Sequence, residues 1–104
     1  MKPYGLSGIP IEAQSLYHRA LDIKDIGKKE DALKYLKMAV MISPRFCNAY
    51  NAMGNCLDEM GQYYEAIQKY EKVLELNPFH MEARFKRDMV REKIRMNEDL
   101  PREV

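Results

Sequence analysis

Slid against itself by 34 residues, the sequence brings Gly27 onto Gly61, Ala32 onto Ala66 and Pro44 onto Pro78, and nothing else in it restricts the fold as much. A period in this range belongs to chains that stack one supersecondary unit on the next. Within each unit, apolar residues recur three and four positions apart, as in Leu16, Ala20, Ile23 and again in Ala32, Leu36, Ala39, Val40. That spacing gives amphipathic helices, and no segment alternates with the period of two that marks a strand.

Punctuation falls in the same frame. Gly27 and Gly61 suit the left-handed residue that closes a helix, while Ser43-Pro44 and Asn77-Pro78 end one helix and prepare the next. The spacing predicts helices over 11–26, 29–42, 45–60, 63–76 and 79–97. Residues 1–10, with two prolines and two glycines, form an irregular lead-in, and residues 98–104 a polar tail.

A two-helix unit of this length with a closing proline resembles the tetratricopeptide repeat, whose pattern runs W-x2-L-G-x2-Y, then A-x3-F, then P. The better copy here reads Tyr50-x2-Met53-Gly54-x2-Leu57, Ala66-x3-Tyr70, Pro78. The other reads Leu16-x2-Arg19-Ala20-x2-Ile23, Ala32-x3-Leu36, Pro44, with Arg19 in an apolar slot. The resemblance implies an all-α fold of five helices: antiparallel helix pairs in a right-handed superhelix. Repeat one covers about residues 13–46, repeat two about 47–80 and a capping helix about 81–97, the domain as a whole running over 11–97. Ala20, Gly54, Ala32 and Ala66 stand where helices cross closely, and larger side chains would drive the helices apart.

Stacked repeats dock the first helix of each unit on the unit before it, so that face is small and apolar where a predecessor exists. Repeat two offers Ala49, Ala52 and Cys56, and the fifth helix Ala83 and Val90, whereas the first helix offers Ser15, His18 and Asp22. The array is therefore expected to start at residue 11. Arg84, Arg87, Asp88 and Arg91 occupy the positions that would meet a sixth helix, which makes the fifth a cap.

The chain shows none of the constellations that carry catalysis. Its two histidines, His18 and His80, have no Ser, Cys or Asp arranged around them and read as surface residues, and no glycine-rich loop is present to cradle a phosphate. Cys47 and Cys56 fall on one helix with Cα atoms roughly 13 Å apart, too far for a disulfide. No metal or cofactor is expected, and no enzymatic activity.

Seventeen basic against sixteen acidic residues leave a net charge of +1, which gives no field to draw the chain onto nucleic acid or an anionic membrane. The basic cluster Arg84, Lys86, Arg87, Arg91, Lys93, Arg95 is interleaved with Glu82, Asp88 and Glu92, the pattern of a solvated helix face. No stretch approaches the roughly 20 apolar residues of a membrane span, nor does the N-terminus contain the apolar run of a signal peptide, and a cytoplasmic setting is expected.

The resemblance implies a concave groove, lined by the first helix of each repeat, that holds a partner peptide. The lining positions include Tyr17 and Leu21 on the first helix, Asn48, Asn51 and Asn55 on the third, and Phe85 and Met89 on the fifth. Each amide both donates and accepts, so a row of three suits a peptide backbone, and the apolar residues beside it suit side chains. The family's carboxylate clamp for chaperone tails needs Lys and Asn where Tyr17, Leu21 and Ala52 stand, and Glu82 opposes a carboxylate; only Lys86 fits. A second use is open to the fifth helix, whose Met81, Phe85, Met89 and Met96 form an apolar stripe away from its docking residues Ala83, Val90 and Ile94. That stripe is either packed within the chain or the contact surface of a homodimer.

Overall fold

In a computed structural model, which describes residues 8–99, five helices follow one another with no strand among the described residues: α1 (Ile11–Asp25), α2 (Lys29–Ile42), α3 (Cys47–Glu59), α4 (Tyr63–Leu76) and α5 (Met81–Asp99). Residues 1–7 of the expected lead-in and 100–104 of the expected tail lie outside the described residues. α1 packs on α2 and α3 on α4, while α2 meets α3 and α4 meets α5 to join the pairs.

The same two closures recur one period apart. Gly27 and Gly61 adopt φ of +88° and +78°, and the next residue turns back to cap the helix, Lys28 N–H donating to the Ile23 carbonyl at 3.1 Å and Gln62 N–H to the Leu57 carbonyl at 2.8 Å. The prolines do the other turn. Ser43-Pro44-Arg45-Phe46 and Asn77-Pro78-Phe79-His80 each close with the fourth N–H donating to the first carbonyl at 3.1 Å, proline taking the second position, where its fixed φ suits the turn. These four-residue turns explain why α3 and α5 begin at residues 47 and 81, two later than the spacing predicts. α5 also continues to Asp99, past the expected 97.

His80 corrects a detail of the sequence reading. It is not a bystander on the surface: its Nδ1 accepts the Ala83 N–H at 3.1 Å and so satisfies one of the orphan donors at the start of α5.

The core is a seam of small residues crossed by a few large ones. Ala13, Ala20, Ala32, Ala39, Ala49, Ala66 and Ala83 are fully buried, and Leu36, Leu57, Tyr70, Val73 and Val90 are the large side chains closed off with them. Each such large side chain contributes about 1.5–3 kcal/mol on burial. The alanines let the helices approach until those contacts form. On the docking faces, Ala49, Ala52 and Cys56 of α3 are buried, while Ser15, His18 and Asp22 at the equivalent places on α1 are exposed. Both cysteines are free, and burial pushes the Cys56 thiol upward in pKa. No described helix is long and apolar enough to cross a membrane.

Candidate functional site

Two ion pairs show how the first helices of successive units share one face. Lys24 on α1 reaches Glu59 on α3 at 3.3 Å, and Lys93 on α5 reaches Asp58 on α3 at 2.8 Å. Lys29 adds a second cation to Glu59 at 3.6 Å. As partly exposed pairs, each is worth well under about 1 kcal/mol. Their importance is geometric, because they show α1, α3 and α5 presenting one face and they take up two of the three carboxylates on it. Glu82, the third, makes no ion pair with any described residue.

The three asparagines on α3 differ from one another. Asn48 is exposed and Asn55 half-buried, with its Oδ1 accepting the Tyr70 hydroxyl at 2.7 Å. That bond crosses from α4 to α3 and leaves the Asn55 Nδ2 without a partner among the described residues. Asn51 is only 8% exposed, and its buried Oδ1 receives no hydrogen bond from any described residue. A buried acceptor without a donor costs about 1–3 kcal/mol, which makes it exceptional in a folded chain.

Around this row the apolar residues predicted from the sequence take different states. Tyr17 is half-buried, its ring 5.1 Å from that of Phe46 and edge-on to His18 at 5.3 Å. Leu21 is half-buried against the core. Phe85 and Met89 are 62% and 46% exposed, and Met81 and Met96, the other members of the α5 stripe, are 74% and 56% exposed. The stripe is thus not covered by the described residues.

The tyrosine hydroxyls report the local field. Burial pushes Tyr17 upward in pKa, and the Glu82 carboxylate adds to the shift from across the face on α5. Tyr70 is pushed well above the usual phenol range, first by burial and then by Asp58, Glu82 and Glu59.

One feature was missed by sequence reasoning. A cleft of about 590 Å3 lies between α1 and α2, lined by Ile23, Ile26, Lys28, Asp31, Lys34, Tyr35 and Met38, with the Arg19 guanidinium 5.5 Å over the Tyr35 ring. The signal was present in the repeat itself: one period on, Lys69 and Lys72 stand where repeat one has Tyr35 and Met38. Nothing among the described residues groups three or more His, Cys, Asp or Glu side chains where they would hold a metal.

Comparison with known proteins agrees with this architecture. The family model for the tetratricopeptide repeat matches residues 47–80. A small glutamine-rich tetratricopeptide repeat-containing protein 2 from Mycosarcoma maydis is 36% identical over 61 residues, which is 59% of this chain and 17% of that protein. Among solved structures, MamA from Desulfovibrio magneticus RS-1 superposes with a TM-score of 0.80 at 27% identity, over 86% of this chain and 51% of MamA. The first such domain of Spaghetti (RPAP3), solved with the HSP90 peptide SRMEEVD, gives 0.76 at 24% identity over 79% of this chain and 65% of that one. The Sgt2 domain from Aspergillus fumigatus gives 0.79 at 22% identity, over 95% and 69%. The chain therefore spans less than a fifth of the curated relative and about half of MamA, and with the Spaghetti and Sgt2 domains it shares the fold.

Proposed function

Because the chain belongs to the tetratricopeptide-repeat family, we propose that it is a protein-interaction module that holds an extended segment of a partner polypeptide on the face shared by α1, α3 and α5. The observation that carries this reading is Asn51. Its buried Oδ1 accepts no hydrogen bond from any described residue, so none of them offsets the cost of burying it, and it lies on α3 between Asn48 and Asn55. Rotation of the terminal amide exchanges oxygen and nitrogen, so the side chain offers either a donor or an acceptor to a peptide backbone. Asn48 and the Nδ2 of Asn55 extend the row, and Tyr17, Leu21, Phe85 and Met89 supply apolar surface on both sides of it. The reading includes a cytoplasmic setting and no catalytic step.

The test is to pan a displayed library of random peptides on the full chain and measure how the recovered peptides bind a variant carrying Asn51→Ala and Asn55→Ala together. A variant that keeps its helical spectrum and binds at least tenfold more weakly supports the reading; each lost backbone hydrogen bond contributes about 0.5–1.5 kcal/mol, so two suffice. Undiminished binding by the folded variant moves the site off this face.

A second reading is favoured by the exposure of Met81, Phe85, Met89 and Met96 in one row on α5. Large apolar groups in a row mark interfaces, and methionine's flexible thioether suits a surface that packs on its own copy. In that case the chain is a self-assembling structural module, a homodimer through α5.

A further inference from the structure

The carboxylate left unpaired on the α1–α3–α5 face and the aromatic ring beside it point to the chemistry of the occupant. Asp58 and Glu59 are committed to Lys93 and to Lys24 and Lys29, at 2.8, 3.3 and 3.6 Å. Glu82 has no cation within ion-pair distance among the described residues and is exposed. Phe85, also exposed, stands three positions along α5, so the carboxylate and the ring lie on one side of the helix, a turn apart. Lys86 is half-buried and lies a turn beyond Glu82, yet it makes no ion pair with it.

A carboxylate beside an open aromatic face is the complement of a guanidinium. Its planar fork binds a carboxylate through two parallel N–H donors while its flat side stacks on a ring, and a lysine ammonium does only the first, as a point charge. We infer that the partner segment carries an arginine that pairs with Glu82 and stacks on Phe85, with apolar residues next to it resting on Leu21 and Met89. This rests on the α1–α3–α5 face being the binding surface. The upward push that Glu82 gives to the hydroxyls of Tyr17 and Tyr70 agrees with its carboxylate facing the side of α1 and α4 that borders this surface, where it would repel an acidic side chain brought next to it.

The experiment uses the full chain and a displayed library of random nonapeptide-length segments, read by deep sequencing before and after panning. Arginine enriched above lysine, next to Leu, Met or Phe, and depletion of Asp and Glu are expected. Glu82→Gln, an exposed and nearly isosteric change, should bind the recovered peptides roughly tenfold more weakly, the loss of one charge-assisted pair. Glu82→Arg should reverse the preference toward acidic segments. If enrichment depends on Asn51 and Asn55 but shows no arginine preference, or if Glu82→Gln leaves that preference unchanged, the arginine pocket is wrong and the binding face stands. If nothing is enriched, or enrichment ignores the asparagines, both fall.

Discussion

Gly54 on α3 lies against the ring of Tyr70 on α4 so closely that a Cβ at position 54 would stand 2.5 Å from Cε1 of that ring. Tyr70 is fully buried and tied by its hydroxyl to Asn55, so the ring has nowhere to go. An alanine in a helix gains about 1 kcal/mol over glycine in propensity, but overpacking a buried contact costs about 1–3 kcal/mol, and here the clash wins. Gly54→Ala is expected to lower the melting midpoint by several degrees, on the order of 4–8 °C per kcal/mol in a domain of this size. Thermal unfolding followed by circular dichroism checks it; a raised midpoint would mean that the ring yields.

Repeat one solves the same crossing with a different pair. One period earlier, Ala20 and Leu36 replace Gly54 and Tyr70, both fully closed off from solvent, so a larger residue on one helix goes with a smaller one on the other. Transplanting that pair, Gly54→Ala with Tyr70→Leu, should therefore destabilise less than the sum of the two single changes, by roughly 0.5–3 kcal/mol as for residues in contact. Urea unfolding of the four chains measures the coupling, and strict additivity would contradict it.

The Tyr70 hydroxyl also predicts an alkaline limit. Its pKa in the folded chain is raised above the ordinary 10.0 by burial first and by Asp58, Glu82 and Glu59 next, and Tyr17 is raised in the same direction by burial and Glu82. Above pH 10.0 the unfolded chain releases these protons while the folded chain retains them, so the unfolded state binds fewer protons and stability falls as pH rises. The contribution is fully present below 10.0, and each such group steepens the fall by up to about 1.4 kcal/mol per pH unit. Tyr70→Phe should lose about 1 kcal/mol at neutral pH with the bond to Asn55 and show a shallower alkaline decline. Urea titrations on either side of pH 10.0 decide; an equally steep decline in the variant would remove Tyr70 from it.

The helices and their order were legible because Gly27, Gly61, Pro44 and Pro78 act locally, through φ and a missing donor, and the same local rules hold wherever they stand. What escaped the sequence depends on partners a full unit away. Lys93 meets Asp58 from 35 positions off and Tyr64 meets Glu98 from 34, each a contact between neighbouring units that no single helix reveals. The three asparagines read as equals because the helical wheel gives direction without depth. Only the packing of α4 separates them, binding Asn55 through Tyr70, while Asn51 lies buried and Asn48 open. His80 escaped for a different reason: a capping acceptor is usually Ser, Thr, Asp or Asn, and a histidine in that place carries no signal.

The α5 stripe separates the two functional readings by mass. A peptide-binding module that leaves its face open is expected to be a 12.3 kDa monomer at high micromolar concentration, with Phe85→Glu leaving its mass unchanged. A homodimer through α5 would double the mass, and two-fold symmetry would place the new charge in the interface twice, so Phe85→Glu would restore the monomer. Light scattering over a dilution series distinguishes them. Doubled mass in the parent chain and single mass in the variant would establish the self-assembling reading.

Asn51 gives the sharpest separation of structure from function, since the two roles predict opposite signs. If the amide were retained for the fold, its removal would destabilise the chain. But its Oδ1 has no donor among the described residues, so a side chain of the same branching without polar atoms removes a desolvation cost and adds apolar contact. Asn51→Leu is therefore expected to stabilise the chain, by about 1 kcal/mol, while weakening the peptides recovered by panning. This is the trade expected of a residue kept for a partner at the expense of the free protein. Urea unfolding and peptide titration on the same preparation read both quantities. A loss of stability on Asn51→Leu, with binding intact, would place the amide among the structural groups and take away the observation on which the proposed binding face chiefly stands.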